Sequence, residues 1–389
     1  MLEIDESTMH GAKIKVIGVG GGGNNAVEAM IAKNLLNVEF IIANTDAKSL
    51  RASQAKTRIQ LGTKLTKGLG AGTRPDVGRE AAIESRAQLL DSLRGADLVF
   101  IAAGMGGGTG TGAAPVIAEV AREAGILTVG IVTKPFTYEG KVKTEIALKG
   151  IAELKKHVDS LIIMSNDRLI SLANKNISLF DAFKPADDVL RQAVQGISEV
   201  IMSKGLINLD FADIKTVMSV RGMAMMGIGV GSGADKATEA VKMAISSPML
   251  EDNDISGAKG VLINLTGSSS MSMDDFNTAN RIVTERVHEG ATIKIGVVQD
   301  ESMGDEIKVT VIATGYGEKF ENDHGKKQIR AYGLRSNIDP RSAKYRDIPT
   351  YLRDQNNHEK TSSLKPVPKI HENDEDDYLI PTFLRKQVD

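Results

Sequence analysis

Residues 96–112 read Ala-Asp-Leu-Val-Phe-Ile-Ala-Ala-Gly-Met-Gly-Gly-Gly-Thr-Gly-Thr-Gly, and a helical pattern follows at residues 113–124 with Pro115 expected in its first turn. An apolar run with no alternation is the texture of a strand buried on both faces, as in a parallel sheet covered on both sides. The same kind of run recurs as KIKVIGV at 13–19, VEFIIAN at 38–44, LTVGIVT at 127–133 and SLIIMSN at 160–166, with Ala- and Glu-rich stretches between. Strands alternating with helices predict an α/β, Rossmann-like domain with a parallel sheet. Such folds bind ligands at the carboxyl ends of their strands, where the glycine-rich segments stand.

Outward from this domain, residues 13–186, the apolar spacing of Val189, Leu190, Ala193, Val194, Ile197, Val200 and Ile201 predicts a long joining helix within 187–205. Residues 206–317 then read as a second, smaller α+β domain. It has an apolar segment MAMMGIGVG at 223–231, a helix near 236–246, the strand GVLINLTG at 260–267, a helix near 274–289, and strands TIKIGVV and EIKVTVIATG. Residues 318–371 turn polar and charged with scattered prolines, too poor in apolar surface to offset chain entropy, so a disordered linker is expected. Residues 372–389 regain an apolar cluster, DDYLIPTFLRKQ, that reads as a docking peptide, and residues 1–12 form a polar N-terminal segment.

Composition removes several function classes. The chain has 389 residues, no cysteine, and 48 basic against 50 acidic side chains, a formal charge of -2. Thiol catalysis, zinc-thiolate sites and disulfides are excluded, and no global field gathers nucleic acid or anionic lipid. The opening MLEIDESTMHGAKIK is polar and acidic, unlike a secretory signal, and no stretch has the ~18 apolar residues of a membrane span. A soluble cytoplasmic protein without direct membrane insertion is expected. Histidines without metal-ligand spacing, and Met223, Met225 and Met226, are read as packing or surface.

Two glycine runs carry the chemistry. Gly18-Val-Gly20-Gly21-Gly22-Gly23-Asn24-Asn25 follows one strand and precedes a helix, so backbone N–H groups can approach an anion. Alone it also satisfies a dinucleotide fingerprint, with Asp46 after the next strand as the ribose acid, and an NAD-dependent oxidoreductase is the alternative reading. The second run, Gly106 to Gly112, is harder to fit to that alternative, because a dehydrogenase needs one phosphate loop. Two loops facing one crevice suit a ligand with several phosphates, bound by backbone N–H groups and the Thr109 and Thr111 hydroxyls. No Walker loop is present.

In this setting GGGTGTG is the signature of the tubulin/FtsZ superfamily. GMGGGTGTGAAPVIAEVA at 104–121 and DYLIPTFLRKQ at 377–387 resemble its bacterial division members, and the likeness spans residues 13–317 and the terminal peptide. The resemblance implies a GTPase that assembles head to tail into protofilaments of a contractile ring and hydrolyses GTP, with Mg2+, where subunits meet. It implies a cytoplasmic place at the midcell division ring on the inner face of the membrane, essential for septum formation and for recruiting other division proteins. The partners it implies are further copies of the chain, assembly regulators, and a membrane-tethering division adaptor such as FtsA, held through Ile380, Pro381, Phe383 and Leu384.

It also assigns roles within the first domain. Gly21, Gly22, Gly23, Asn24, Asn25, Gly104, Gly106, Gly107, Gly108, Thr109, Gly110 and Thr111 would hold the phosphates. Ala71, Gly72 and Thr73 would close over the terminal one, and Asp46 would act on the magnesium through water. Glu139 would take the ribose, with Asn166 and Asp187 reading guanine, whose N1–H and amine can both donate to a carboxylate. Asp187 can equally be the N-cap of the joining helix, and the two roles are compatible. Lys143 stands where the family has arginine, and a point charge makes that contact weaker than a fork.

The third constellation is Asn208-Leu-Asp210-Phe-Ala-Asp213. Read by itself it is a helix cap, with Asp210 at the N-cap and Asp213 three residues on. The resemblance makes all three catalytic in trans, acting on the neighbouring subunit's GTP, so that 206–317 is a GTPase-activating domain. A scaffold that holds nucleotide without hydrolysing it would need this loop to be only a cap. The linker also holds a near copy of the terminal motif, with six of eight positions in 348–355 identical to 380–387. Chance in a biased segment and a second docking copy both account for that.

Overall fold

The computed structural model describes residues 12–35, 37–168, 184–202, 205–207, 209–220, 222–247 and 255–316. Asn208, the expected linker, the terminal peptide and the near copy of its motif all lie outside them.

Ten strands form one sheet: β1 (Ile14–Val19), β2 (Val38–Asn44), β3 (Thr57–Gln60), β4 (Leu98–Gly104), β5 (Leu127–Lys134), β6 (Ser160–Ser165), β7 (Gly222–Gly231), β8 (Gly260–Gly267), β9 (Thr292–Gln299) and β10 (Ile307–Tyr316). Their order is β3-β2-β1-β4-β5-β6-β7-β10-β8-β9. Every neighbouring pair is parallel except the two made by β10, which runs against β7 and β8. The halves meet at β6 and β7, where the register covers only Ser160 to Ile162 against Gly222 to Ala224.

The helices are α1 (Gly20–Ala32), α2 (Ala47–Ala52), α3 (Thr63–Thr66), α4 (Pro75–Glu84), α5 (Arg86–Leu93), α6 (Thr109–Glu123), α7 (Lys141–Leu154), α8 (Lys184–Met202), α9 (Phe211–Met218), α10 (Lys236–Ile245) and α11 (Met273–Thr284). Alternate residues of each central strand feed opposite faces, as the strand pleat dictates. Val16 and Phe100 enter a core beneath α8, while Ile17 and Ile101 enter another with Ala81, Leu89 and Ala113 of α4, α5 and α6. A third core joins Val241 of α10 and Val283 of α11 to the strands of the C-terminal half.

Helix α8 carries Val189, Ala193, Val194 and Ile197 into the same core as Val129 of β5 and Met226, Leu262 and Ile312 of the C-terminal half. It is already helical at Lys184, ahead of the expected Asp187. All described residues fall in one compact unit, within which the expected boundary between 13–186 and 206–317 lies. Met225 and Met226 are buried, consistent with packing. No helix among the described residues is long and apolar enough to cross a membrane.

Candidate functional site

The chain leaves β1 toward β2 on one side, while β4 lies on the other side in register, with Val19 opposite Ala103. Winding reverses between these two strands, which opens a crevice at their carboxyl ends. Both glycine runs open into it. Sequence reading places them as loops before helices, yet Gly20 to Asn25 already belong to α1 and α6 starts at Thr109. Pro115 consequently sits inside α6 rather than in its first turn. Neither helix start has a side-chain cap, since Val19 and Gly108 occupy the N-cap positions. Their first N–H groups are therefore presented toward the crevice, the arrangement that favours an anion.

The glycines divide by what surrounds them. A Cβ at Gly20 would lie 2.8 Å from the Gly110 nitrogen, one at Gly110 2.6 Å from the Gly104 carbonyl oxygen, and one at Gly108 2.5 Å from that of Gly72. These positions let the loops touch. A Cβ at Gly21, Gly72 or Gly107 would meet nothing within 4 Å. They border open space, so the backbone forms a cradle that a side chain would fill. The loop of Ala71, Gly72 and Thr73 is fastened to the second glycine run by the Gly108 N–H donating to the Gly72 carbonyl at 2.8 Å.

Thr45, which sequence reasoning missed, ties these parts together. Its buried hydroxyl lies 2.6 Å from that of Thr109, and its carbonyl accepts from the Gly70 N–H at 3.1 Å. The usable signal was the polar triplet Asn44-Thr45-Asp46 at the carboxyl end of an apolar strand. Thr111 is buried, and its hydroxyl accepts from the Gly106 N–H at 2.9 Å, so it shapes the loop. Asn24 is likewise buried. With its amide nitrogen toward the glycine run it donates to the carbonyls of Gly20 and Gly18, while its oxygen accepts from Asn44.

Asp46 caps α2, accepting from the Lys48 N–H at 2.9 Å and the Ser49 hydroxyl at 2.8 Å. These bonds, that from Ser49 first, hold its carboxyl below the usual value. Glu139, which follows β5, accepts from the Phe136 N–H at 2.9 Å and pairs with Lys143 at 2.7 Å. Asn166 follows β6, is buried, and has no hydrogen-bond partner for its Oδ1 among the described residues. Asp187 lies within the first turn of α8, which corrects the N-cap alternative. Burial pushes its carboxyl up to about 6. An orphaned amide oxygen and a desolvated carboxylate are costly unless something completes them.

The acidic loop folds as the capping reading expects. Asp210 is the N-cap of α9, accepting from the Asp213 N–H at 2.6 Å, and Asp213 pairs with Lys294 of β9 at 2.5 Å. Both acids take these partners from α9 and β9, not from either glycine run. No group of three His, Asp or Glu among the described residues could hold a metal ion.

Residues 13–174 match the model of the Tubulin/FtsZ family, GTPase domain, and residues 222–317 that of the FtsZ family, C-terminal domain. The cell division protein FtsZ of Pseudomonas aeruginosa is 48% identical over 398 residues, covering 100% of both chains. That of Coxiella burnetii is 49% identical over 390 residues, covering 99% of each. Among solved structures, an empty FtsZ dimer from M. jannaschii has a TM-score of 0.75 at 42% identity, covering 80% of this chain and 91% of that one. A GTPγS-bound protofilament of CetZ2 from Haloferax volcanii, 18% identical, shares the fold alone with a TM-score of 0.67 over 82% of this chain and 99% of that one. With near-half identity along its whole length and both domain models matched in order, the chain belongs to the Tubulin/FtsZ family of GTPases.

Proposed function

We propose that the protein polymerises head to tail in a division ring and hydrolyses GTP across each subunit contact. The observation that carries the phosphate site is the pair of uncapped helix starts on adjacent strands, with Gly21, Gly72 and Gly107 leaving a backbone-lined cradle between them. Gly21 to Asn25, Gly104 and Gly106 to Thr111 hold the phosphates in this reading, directly or by bracing the loops. Ala71, Gly72 and Thr73 close on the terminal phosphate, Glu139 takes the ribose, and Asn166 and Asp187 read the base. Lys143, already paired with Glu139, orients that carboxylate. Asp46 is the residue that would hold Mg2+, through water, and the ion would supply positive charge to offset that of the phosphates.

The acids of 206–317 face outward to the next subunit, where Asp210, Asp213 and Asn208 orient the attacking water. Phosphoryl transfer depends on positioning and charge, so a site completed by the neighbour turns over only in the polymer. A contact between unlike surfaces repeats along a line, which yields a filament. In support, relatives are described as a dimer and a protofilament. The terminal peptide, through Ile380, Pro381, Phe383 and Leu384, holds a membrane-tethering adaptor at the division site on the inner membrane face. Sedimentation with GTP, GDP or NAD, with phosphate release measured in parallel, tests the proposal. GTP alone should give both pellet and phosphate; an NAD-dependent pellet, or phosphate release independent of protein concentration, would sink it.

Asp187 gives this reading a pH signature. Its carboxyl rises from 3.8 to about 6 through burial. In the free chain the charged form is therefore disfavoured, and the contribution of Asp187 to folding, complete below pH 3.8, is lost as pH rises through about 6. Guanine has the opposite preference, because its N1–H and amine donate to the carboxylate. GTP affinity should be flat above neutrality and fall by up to about tenfold per pH unit below 6, with a proton released on binding near that pH. Asp187→Asn should flatten the profile and weaken the preference for GTP over ATP. Titration calorimetry of both chains checks this, since phosphate ionisation is common to them and cancels in the ratio. Equal slopes would move base recognition elsewhere, with Asn166 first in line.

A further inference from the structure

Strand β9 braces the acidic loop at three successive levels. The Leu206 N–H donates to the Val297 carbonyl at 2.9 Å, and the Val297 N–H to the Ile207 carbonyl at 3.1 Å. Gly296 leaves room for Leu209, whose Cδ1 would be 3.2 Å from a Cβ there. Lys294 then reaches Asp213, pairing with its Oδ1 at 2.5 Å, with the two side chains 35% and 31% exposed. No hydrogen bond among the described residues engages the second oxygen of Asp213.

A half-exposed ion pair adds little to fold stability. Its consequence lies in charge. Two carboxylates brought against a terminal phosphate oppose an anion with a net −2, and one ammonium paired with Asp213 halves that repulsion. The Asp213 hydrogen bond, then the charges of Asp213 and Asp210, raise the pKa of Lys294, so its ammonium persists well past neutrality. The backbone bonds of Val297 fix where β9 lies against the loop, and Lys294 fixes the Asp213 carboxylate on that frame.

We infer that Lys294 is a positioning residue for hydrolysis: it grips Asp213 by one oxygen, leaves the other for the attacking water, and offsets one negative charge of the face that meets the neighbour's GTP. This rests on the interfacial reading given above. Its geometry is independent of that reading, but its role is not.

The experiment compares full-length Lys294→Met, Lys294→Arg and Asp213→Ala with the unaltered chain at low and high salt. Lys294→Met should bind GTP and melt normally. Its phosphate release per polymerised subunit should fall roughly tenfold or more, as expected when a reacting group is misplaced. Its critical concentration should rise at low salt and return toward the unaltered value at high salt, where repulsion is screened. Lys294→Arg should recover most of both. A purely structural role would lower the melting temperature and show no salt dependence. If Asp213→Ala is inactive while Lys294→Met matches the unaltered chain, the inference about Lys294 is wrong and the interfacial reading stands. Arginine failing as badly as methionine also overturns it. If Asp213→Ala hydrolyses normally, the interfacial reading itself falls, and the role of Lys294 with it.

Discussion

Chains carrying Asp210→Ala or Asp213→Ala are expected to bind GTP and assemble, yet to turn over at least about a hundredfold more slowly, the scale lost when a group that handles the reacting proton is removed. Neither acid touches its own glycine loops through the bonds described, so the pocket should remain intact. The two variants differ in a second respect. Asp210 accepts the Asp213 N–H at the start of α9, and losing such a cap costs ~1 kcal/mol. Asp213→Ala removes only a half-exposed pair, so its melting temperature should stay closer to that of the unaltered chain. Phosphate release at saturating GTP, with polymer measured separately, reads both effects. An Asp213→Ala chain that hydrolyses normally by itself would remove the case for a shared site.

Gly108→Val should weaken nucleotide binding strongly, without discriminating between GTP and GDP. Its Cβ would lie 2.5 Å from the Gly72 carbonyl oxygen and 3.0 Å from the Ala71 Cβ, backbone and core atoms that cannot swing aside. The loops must part, and the Gly108–Gly72 hydrogen bond is lost. A loss of about a hundredfold in affinity, roughly 3 kcal/mol, is expected for both nucleotides. Gly21→Ala is the informative partner, because its Cβ meets nothing within 4 Å in the free chain. It should fold with an unchanged melting temperature and still bind GTP more weakly, since the methyl occupies space meant for ligand. Normal affinity in both variants would place the phosphates elsewhere. Mixing supplies a further check: Gly108→Val chains offer intact acids, Asp213→Ala chains offer bound GTP, and together they should recover hydrolysis that neither shows alone.

The parallel sheet was legible because β4 and β5 are buried on both faces, which writes itself as a nearly unbroken apolar run. Strand β3, TRIQ, escaped notice, being four residues long with polar side chains on an edge. The starts of α1 and α6 were set too late because glycine reads locally as a breaker, whereas here it permits backbone contact across the crevice. Helix α11 ends at Thr284, short of the expected 289. Of the candidate site, Asp210 as a cap was readable from spacing alone. The bond between Thr45 and Thr109, the orphaned Asn166 oxygen and the grip of Lys294 on Asp213 were not, because each joins or isolates atoms far apart in the chain. Local periodicity carries no record of such meetings.

The short register between β6 and β7 has a mechanical meaning. A sheet of ten strands resists shear through its ladders, and here one ladder is held by three residue pairs while its neighbours run longer. Load carried from one half to the other would concentrate at that seam, and tearing it would bare two rows of unpaired backbone groups, a template for fusion with other chains. Helix α8 lies across the weak line as a splint, its Val194 and Ile197 sharing a core with Val129 on one side and Met226 and Ile312 on the other. The rod that carries Asp187 in its first turn is thus also the rod that keeps the sheet from splitting.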